Sequence, residues 1–372
     1  MVREVALSAH RLLSTTIVAI FVAVFLTGCS NSGEDLSKPI VEPSAAREAP
    51  PVRNQIDQRQ PGGPDLKIQS DKTSPEQERV SSLPPIPRTG SVTVEELSGY
   101  KTKAQYFIIN SVNYPQAVVA VTLPLGYKKH PRKKYPLVIA FGGAGECSKP
   151  PRQGALAWMH YYKTDEAVQA LQHNHLDTRD FRGLVSEAHL KSFNRRLKQN
   201  PYEGIILACP YSPPLAPGRG LELPEYEAYI ISELIPALKK HYRVDAGRIG
   251  VDGVSMGGAR SMYYGFKYPD VFASIGSVQG AFGPFLEVYE ELARANRDLL
   301  KKRSIQLVTS DKDVLAPSVD RMHRMLVTNG IPHKYNVLTG PHDYIFNQGP
   351  GSIALLMFHN EALKAATVGP TK

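Results

Sequence analysis

The chain has 372 residues, with 44 lysines and arginines against 35 aspartates and glutamates, for a formal net charge of +9. That length holds one large α/β domain or two small ones. The surplus charge is modest for such a length, and neither a zinc spacing nor a basic helix with interleaved aromatics accompanies it, so nothing points to nucleic acid.

Met1 to Arg11 carries positive charge at Arg3 and Arg11, and residues 12–26 are an uninterrupted apolar and small run. The run is short for a membrane span and matches the apolar core of a secretory signal. It ends in Leu26-Thr27-Gly28-Cys29, which resembles the bacterial lipobox, where the cysteine is lipidated and becomes N-terminal. The expectation is a signal peptide over 1–28, a lipid on Cys29, and a protein anchored in the bacterial cell envelope, facing the periplasm or the exterior. From Ser30 to about Arg88 the chain is rich in Pro, Ser, Gln and charge. Without apolar periodicity it has too little surface to bury to offset ordering entropy, and it reads as an extended tether over 29–95. A folded domain is expected over 96–372.

Within that domain, "YFIIN", "AVVAVTLP" and "PLVIAFGG" are short β-branched and aromatic runs bounded by turn residues, and read as strands. Between two of them lies "KKHPRKKYP", residues 128–136, a solvated basic loop or a patch attracted to anionic lipid or polysaccharide. "GIILACP", "RIGVDG", "FASIGSV" and "IQLVTS" are continuous apolar runs, the mark of strands buried on both faces of a parallel sheet. Helical spacing appears over 224–240, 256–267 and 318–329. Strands alternating with helices predict one α/β domain with a mostly parallel sheet covered on both faces. The stretch 146–201 is longer than one crossover helix needs and reads as a helix plus an insertion near the site. His173-x-His175 within it has no carboxylate or cysteine at metal spacing and reads as surface. No metal or cofactor is implied. Cys147 and Cys209 are available to pair in an oxidising compartment, the alternative being two buried thiols.

Gly253-Val254-Ser255-Met256-Gly257 fits G-x-S-x-G with a strand before it and a helix after it, the context of a nucleophile elbow. A serine hydroxyl attacks only with a base to take its proton and a third group to orient that base. In α/β-hydrolases these follow in the order Ser, acid, His. Asp311 and Asp313 share the loop after "IQLVTS"; Asp313 is the better acid by its spacing from Ser310, with Asp311 in reserve or bracing the loop. His342, in "GPHDYIF", follows the last strand and is the expected base; His323 lies inside a helix and His333 at a strand start. For the oxyanion, donors are expected from the backbone of Met256 and of Gly143 in "AFGGAGE".

These blocks, with "YIISELIPALKKHYRVDAGRIGVDGVSMGGARSMYYGFKYPDVFASIGSVQG" the most specific, resemble the esterase D-like esterase family of the α/β-hydrolase superfamily from about Gln105 onward. The resemblance implies an α/β-hydrolase fold and triad roles for Ser255, Asp313 and His342. It departs at the oxyanion loop, where the family's His-Gly is Phe141-Gly142 here. In the family's topology the strands ending near Cys147 and Cys209 are neighbours, which puts a bridge within reach. The leading expectation is therefore a lipid-anchored serine esterase acting on a small-molecule or polysaccharide ester through an acyl-enzyme. An acyltransferase to a sugar or lipid hydroxyl, and a peptidase of the prolyl oligopeptidase type, are the alternatives. A binding protein on an inactive scaffold would lack one of the three triad candidates.

Overall fold

Runs of Val, Ile, Ala and Phe bounded by Gly and Pro pair into one sheet in the computed structural model, which describes residues 90–214 and 220–365. The leader, Cys29 and the tether to residue 89 lie outside the described residues. The strands are β1 (Val92–Leu97), β2 (Lys103–Ile109), β3 (Val118–Leu123), β4 (Tyr135–Phe141), β5 (Ile206–Pro210), β6 (Val244–Gly253), β7 (Ser274–Val278), β8 (Ser304–Lys312) and β9 (Lys334–Pro341). Their order is β1-β2-β3-β5-β4-β6-β7-β8-β9. The first three are antiparallel, and the neighbouring pairs from β5–β4 to β8–β9 are all parallel. The fold is α/β, as the alternating runs predict.

Every residue of β4 and β5 is buried, because helices cover both faces of the sheet there. The helices used below are α1 (Ala144–Cys147), α2 (Thr164–Gln172), α3 (Glu187–Gln199), α4 (Ile235–His241), α5 (Met256–Lys267), α6 (Leu286–Ala295), α7 (Ala316–Thr328) and α8 (Ser352–Ala365). Helices α4, α5, α6 and α7 pack on one face, where Ile139, Ala208 and Val251 meet Met262, Tyr264 and Met322. Helices α2, α3 and α8 cover the other, where Val138, Leu207 and Val308 meet Leu171, Leu197 and Leu355.

The sheet begins earlier than the boundary at residue 96 allows. Val92–Leu97 pairs along its length with β2, from Val92 opposite Ile109 to Leu97 opposite Ala104. Only intermediate and exposed positions occur along β1, so its apolar signal is too weak to separate it from the tether. Helix α7 likewise starts at Ala316, with Pro317 in its first turn, where a missing N–H costs nothing.

The basic loop ends at Lys134, because Tyr135 and Pro136 already belong to β4, and Lys128, Lys129, Arg132, Lys133 and Lys134 are exposed. Arg243 staples it, stacking 3.6 Å from the Tyr127 ring centroid and donating from Nε to the Lys133 carbonyl at 3.2 Å. Because β4 and β6 are parallel, this loop and Ser255 lie at opposite ends of the sheet.

The bridge between Cys147 and Cys209 is not formed; both thiols are free and buried. Strands β4 and β5 are indeed parallel neighbours, but strand alternation decides which way each side chain points. Ile206 and Ala208 face the α5 layer, whereas Leu207 and Cys209 face the opposite one, with Trp158. Cys147 instead lies against the Arg260 guanidinium of α5. Burial pushes each thiol up to about 12, which leaves neither as a reactive thiolate. Alkylation of the unreduced, denatured protein followed by peptide mass analysis should therefore modify both residues, while the native protein resists. A Cys147–Cys209 linked peptide is the contrary result.

Candidate active site

Strand β6 ends in Gly253, and α5 starts one residue after Ser255. The turn is sharp enough that a Cβ on Gly253 would come 2.2 Å from the Gly257 carbonyl oxygen, and one on Gly257 2.4 Å from that of Phe141. Only glycine fits at either place. Ser255 itself has φ 57° and ψ −116°, a conformation that costs a non-glycine residue about 1–3 kcal/mol and persists only where its surroundings hold it. Here its N–H donates to the Val278 carbonyl at 2.9 Å, and its carbonyl accepts from Ala259 and Ala281, each at 3.0 Å. The strand-to-helix reading of G-x-S-x-G is thus the observed geometry.

The loops after β8 and β9 converge on this turn. His342 Nε2 lies 3.1 Å from Ser255 Oγ, and its Nδ1 lies 2.9 Å from Asp313 Oδ1. Asp313 also accepts from the Thr309 hydroxyl and from the Leu315 N–H, both at 2.8 Å, and its side chain is wholly buried. These bonds hold the carboxylate in one orientation and satisfy its lone pairs away from water. Asp311 points elsewhere: its Oδ1 accepts from the Gly340 N–H at 2.9 Å. It braces the two loops against each other, while Asp313 is the aspartate brought to the imidazole.

Met256 is the first residue of α5, where N–H groups have no acceptor within the helix and the dipole favours negative charge. Gly143 is arranged differently from expectation. Its N–H donates to the Tyr162 hydroxyl at 3.0 Å, so in this conformation it is committed to a phenol. That hydroxyl in turn donates to Glu146, whose other oxygen accepts from Tyr344 at 2.7 Å. Burial and the adjoining Glu146 carboxylate keep the Tyr162 proton in place well above the ordinary phenol range. A buried carboxylate thus ties the loop of Gly143 to the segment just past His342. Sequence reasoning missed Glu146, Tyr162 and Tyr344, because no spacing links them; they meet through the insertion's fold. The other histidines singled out in that insertion, His173 and His175, are exposed.

A second Ser–His–Asp chain lies beneath the elbow. His359 Nε2 is 3.0 Å from Asp252 Oδ2, and its Nδ1 is 2.7 Å from Ser274 Oγ. All three residues are fully buried, so no substrate reaches them. Burial raises the Asp252 carboxyl, opposed by the bond to His359. The group joins α8 to β6 and β7, and Asp252 also accepts the Gly253 N–H at 2.7 Å. Removing one member of such a buried pair strands the other. Asp252→Ala should therefore lower stability by about 3 kcal/mol, read as a lower urea midpoint at an unchanged m-value.

A mostly parallel sheet with the serine on a strained turn between β6 and α5 is the arrangement of the α/β-hydrolase fold. Residues 216–310 match the family model described as "Putative esterase". Among solved structures, a ferulic acid esterase is 16% identical, with 73% of this chain and 98% of that one covered at a TM-score of 0.51. The S-formylglutathione hydrolase of Agrobacterium tumefaciens is 16% identical over 73% of this chain and 99% of its own, at a TM-score of 0.48. A ferulic acid esterase from the anaerobic fungus Anaeromyces mucronatus is 18% identical over 80% and 99%, at 0.45. The first of these likenesses supports the fold.

Proposed function

We propose that the protein is an exported, lipid-anchored esterase in which Ser255 is the nucleophile, His342 the base and Asp313 the orienting acid. The observation that carries this reading is the unbroken line of hydrogen bonds from Ser255 Oγ through His342 to Asp313. As Ser255 Oγ attacks the acyl carbon, its proton passes to His342 Nε2. Asp313 holds the Nδ1–H and stabilises the imidazolium that results. The oxygen of the tetrahedral intermediate takes its charge beside the Met256 N–H, at the N-terminus of α5. Gly143 joins only by exchanging the Tyr162 hydroxyl for that oxygen. Collapse expels the alcohol, which takes the proton from His342, and water then cleaves the acyl-enzyme by the same steps reversed.

The substrate we propose is a small-molecule or polysaccharide ester. Tyr344, two residues past His342 and 39% exposed, has its ring centroid 6.3 Å from that of Tyr161, an aromatic surface beside the base. Such a surface suits an aromatic acyl group, the kind named in the ferulic acid esterase neighbour.

Ser255→Ala should abolish labelling by a fluorophosphonate and lower ester turnover by several orders of magnitude, since nucleophile and base act as a unit. Persistent labelling of that variant would sink the assignment. Asp313→Asn should cost roughly a thousandfold or more, whereas Asp311→Asn, which loosens only a brace, should cost far less. Steady-state kinetics on an aryl ester separates the two.

The leader carries the other half of the proposal. Its positive start, apolar run and Leu-x-Gly-Cys end support lipidation at Cys29 and residence in the cell envelope. In that case Cys29→Ala should prevent lipid attachment and block cleavage after Gly28, leaving the longer unprocessed chain on a gel. A mature wild-type chain with an unmodified N-terminus elsewhere is the result that contradicts it.

A further inference from the structure

Five non-glycine residues among those described have positive φ: Lys163, Asn174, Arg182, Ser255 and Gln279. Only Ser255 and Gln279 are buried. Gln279, at φ 48°, follows β7 directly and is wholly inaccessible. Glycine or asparagine is the residue that suits such a backbone, so a long side chain held there calls for a reason.

The reason lies in what that side chain touches. Its Nε2 donates to Ser310 Oγ at 2.7 Å and to the Pro341 carbonyl at 3.0 Å. The Pro341 carbonyl can only accept, which fixes the amide nitrogen on this side. Ser310 lies near the end of β8, three residues before Asp313, whose N–H donates to the Ser310 carbonyl at 3.1 Å. Pro341 is bonded to His342. The Gln279 N–H donates to Val308 of β8 at 2.6 Å, while the preceding residue, Val278, accepts the Ser255 N–H. One residue therefore spans the loops of acid and base and adjoins the anchor of the nucleophile. Its Oε1 is buried without a hydrogen-bond partner among the described residues. A strained backbone and an unsatisfied carbonyl both oppose stability, so stability alone does not account for glutamine at this position.

We propose that Gln279 is a positioning residue: its carboxamide clamps the Asp313 and His342 loops at the separation that keeps His342 bonded to both Asp313 and Ser255. This rests on the triad reading above, and acts through it without touching substrate. Two variants test it. Gln279→Met keeps the side chain's bulk and removes its donors; Gln279→Gly also removes the donors but suits the backbone, and so remains folded if the first does not. Activity is measured on the full chain per site titrated with a fluorophosphonate. Both variants should lose at least tenfold in kcat, with kcat/KM falling in parallel and KM within about twofold of wild type. Ser310→Ala removes one arm and should cost about threefold, and adding it to Gln279→Met should cost nothing more, since the shared contact is already gone. Undiminished kcat per titrated site in both Gln279 variants, even with fewer titratable sites, would reduce the residue to a structural one and overturn the proposal. If wild-type protein is not labelled at Ser255, the triad reading has failed, and that outcome is distinct from a failure of the clamp.

Discussion

The site depends on a backbone conformation that Ser255 would not adopt by itself. At φ 57° the residue turns its hydroxyl out of the sheet, and the chain tolerates this because the surroundings leave no alternative. Gly253 and Gly257 let strand and helix approach to within contact of each other's backbone. The Ser255 N–H is taken by β7, and its carbonyl by two further N–H groups. A parallel sheet buried on both faces supplies the rigidity, since neither β6 nor β7 can shift without disturbing packed side chains on both sides.

Around that turn, three buried carboxylates are satisfied by neighbouring donors. Asp313 is inaccessible yet accepts from His342, Thr309 and Leu315. Asp252 and His359 repeat the same chemistry below, where their burial makes them a tie between α8 and the sheet and not a second site. Glu146 receives two tyrosines and through one of them restrains the loop of Gly143. In a medium of low dielectric such networks hold one geometry well and tolerate the loss of a member poorly. That is the property a preorganised site needs.

How far the sequence could be read varied with the kind of signal. The elbow was legible because its glycines and flanking runs are local, and the strands from β5 to β8 because buried parallel strands are continuously apolar. Strand β1 was not, since an edge strand with little buried surface resembles the tether before it. The choice of Asp313 over Asp311 followed a spacing, and the structure supplies its physical content: residue 313 has left the strand and turns back toward the imidazole, whereas residue 311, still in β8, meets the Gly340 backbone.

The sequence by itself determined the α/β alternation, the strand-turn-helix at Ser255 and the order of serine, aspartate and histidine, because each is written in residues close together or in the periodicity of a run. Tertiary structure alone decided that Gly143 gives its N–H to Tyr162, that Glu146 joins two tyrosines, that Gln279 spans two loops, and that Cys147 and Cys209 stay apart. Each of these turns on which side of a strand or loop a side chain points and on what a distant segment places opposite it. Spacing along the chain carries no record of that.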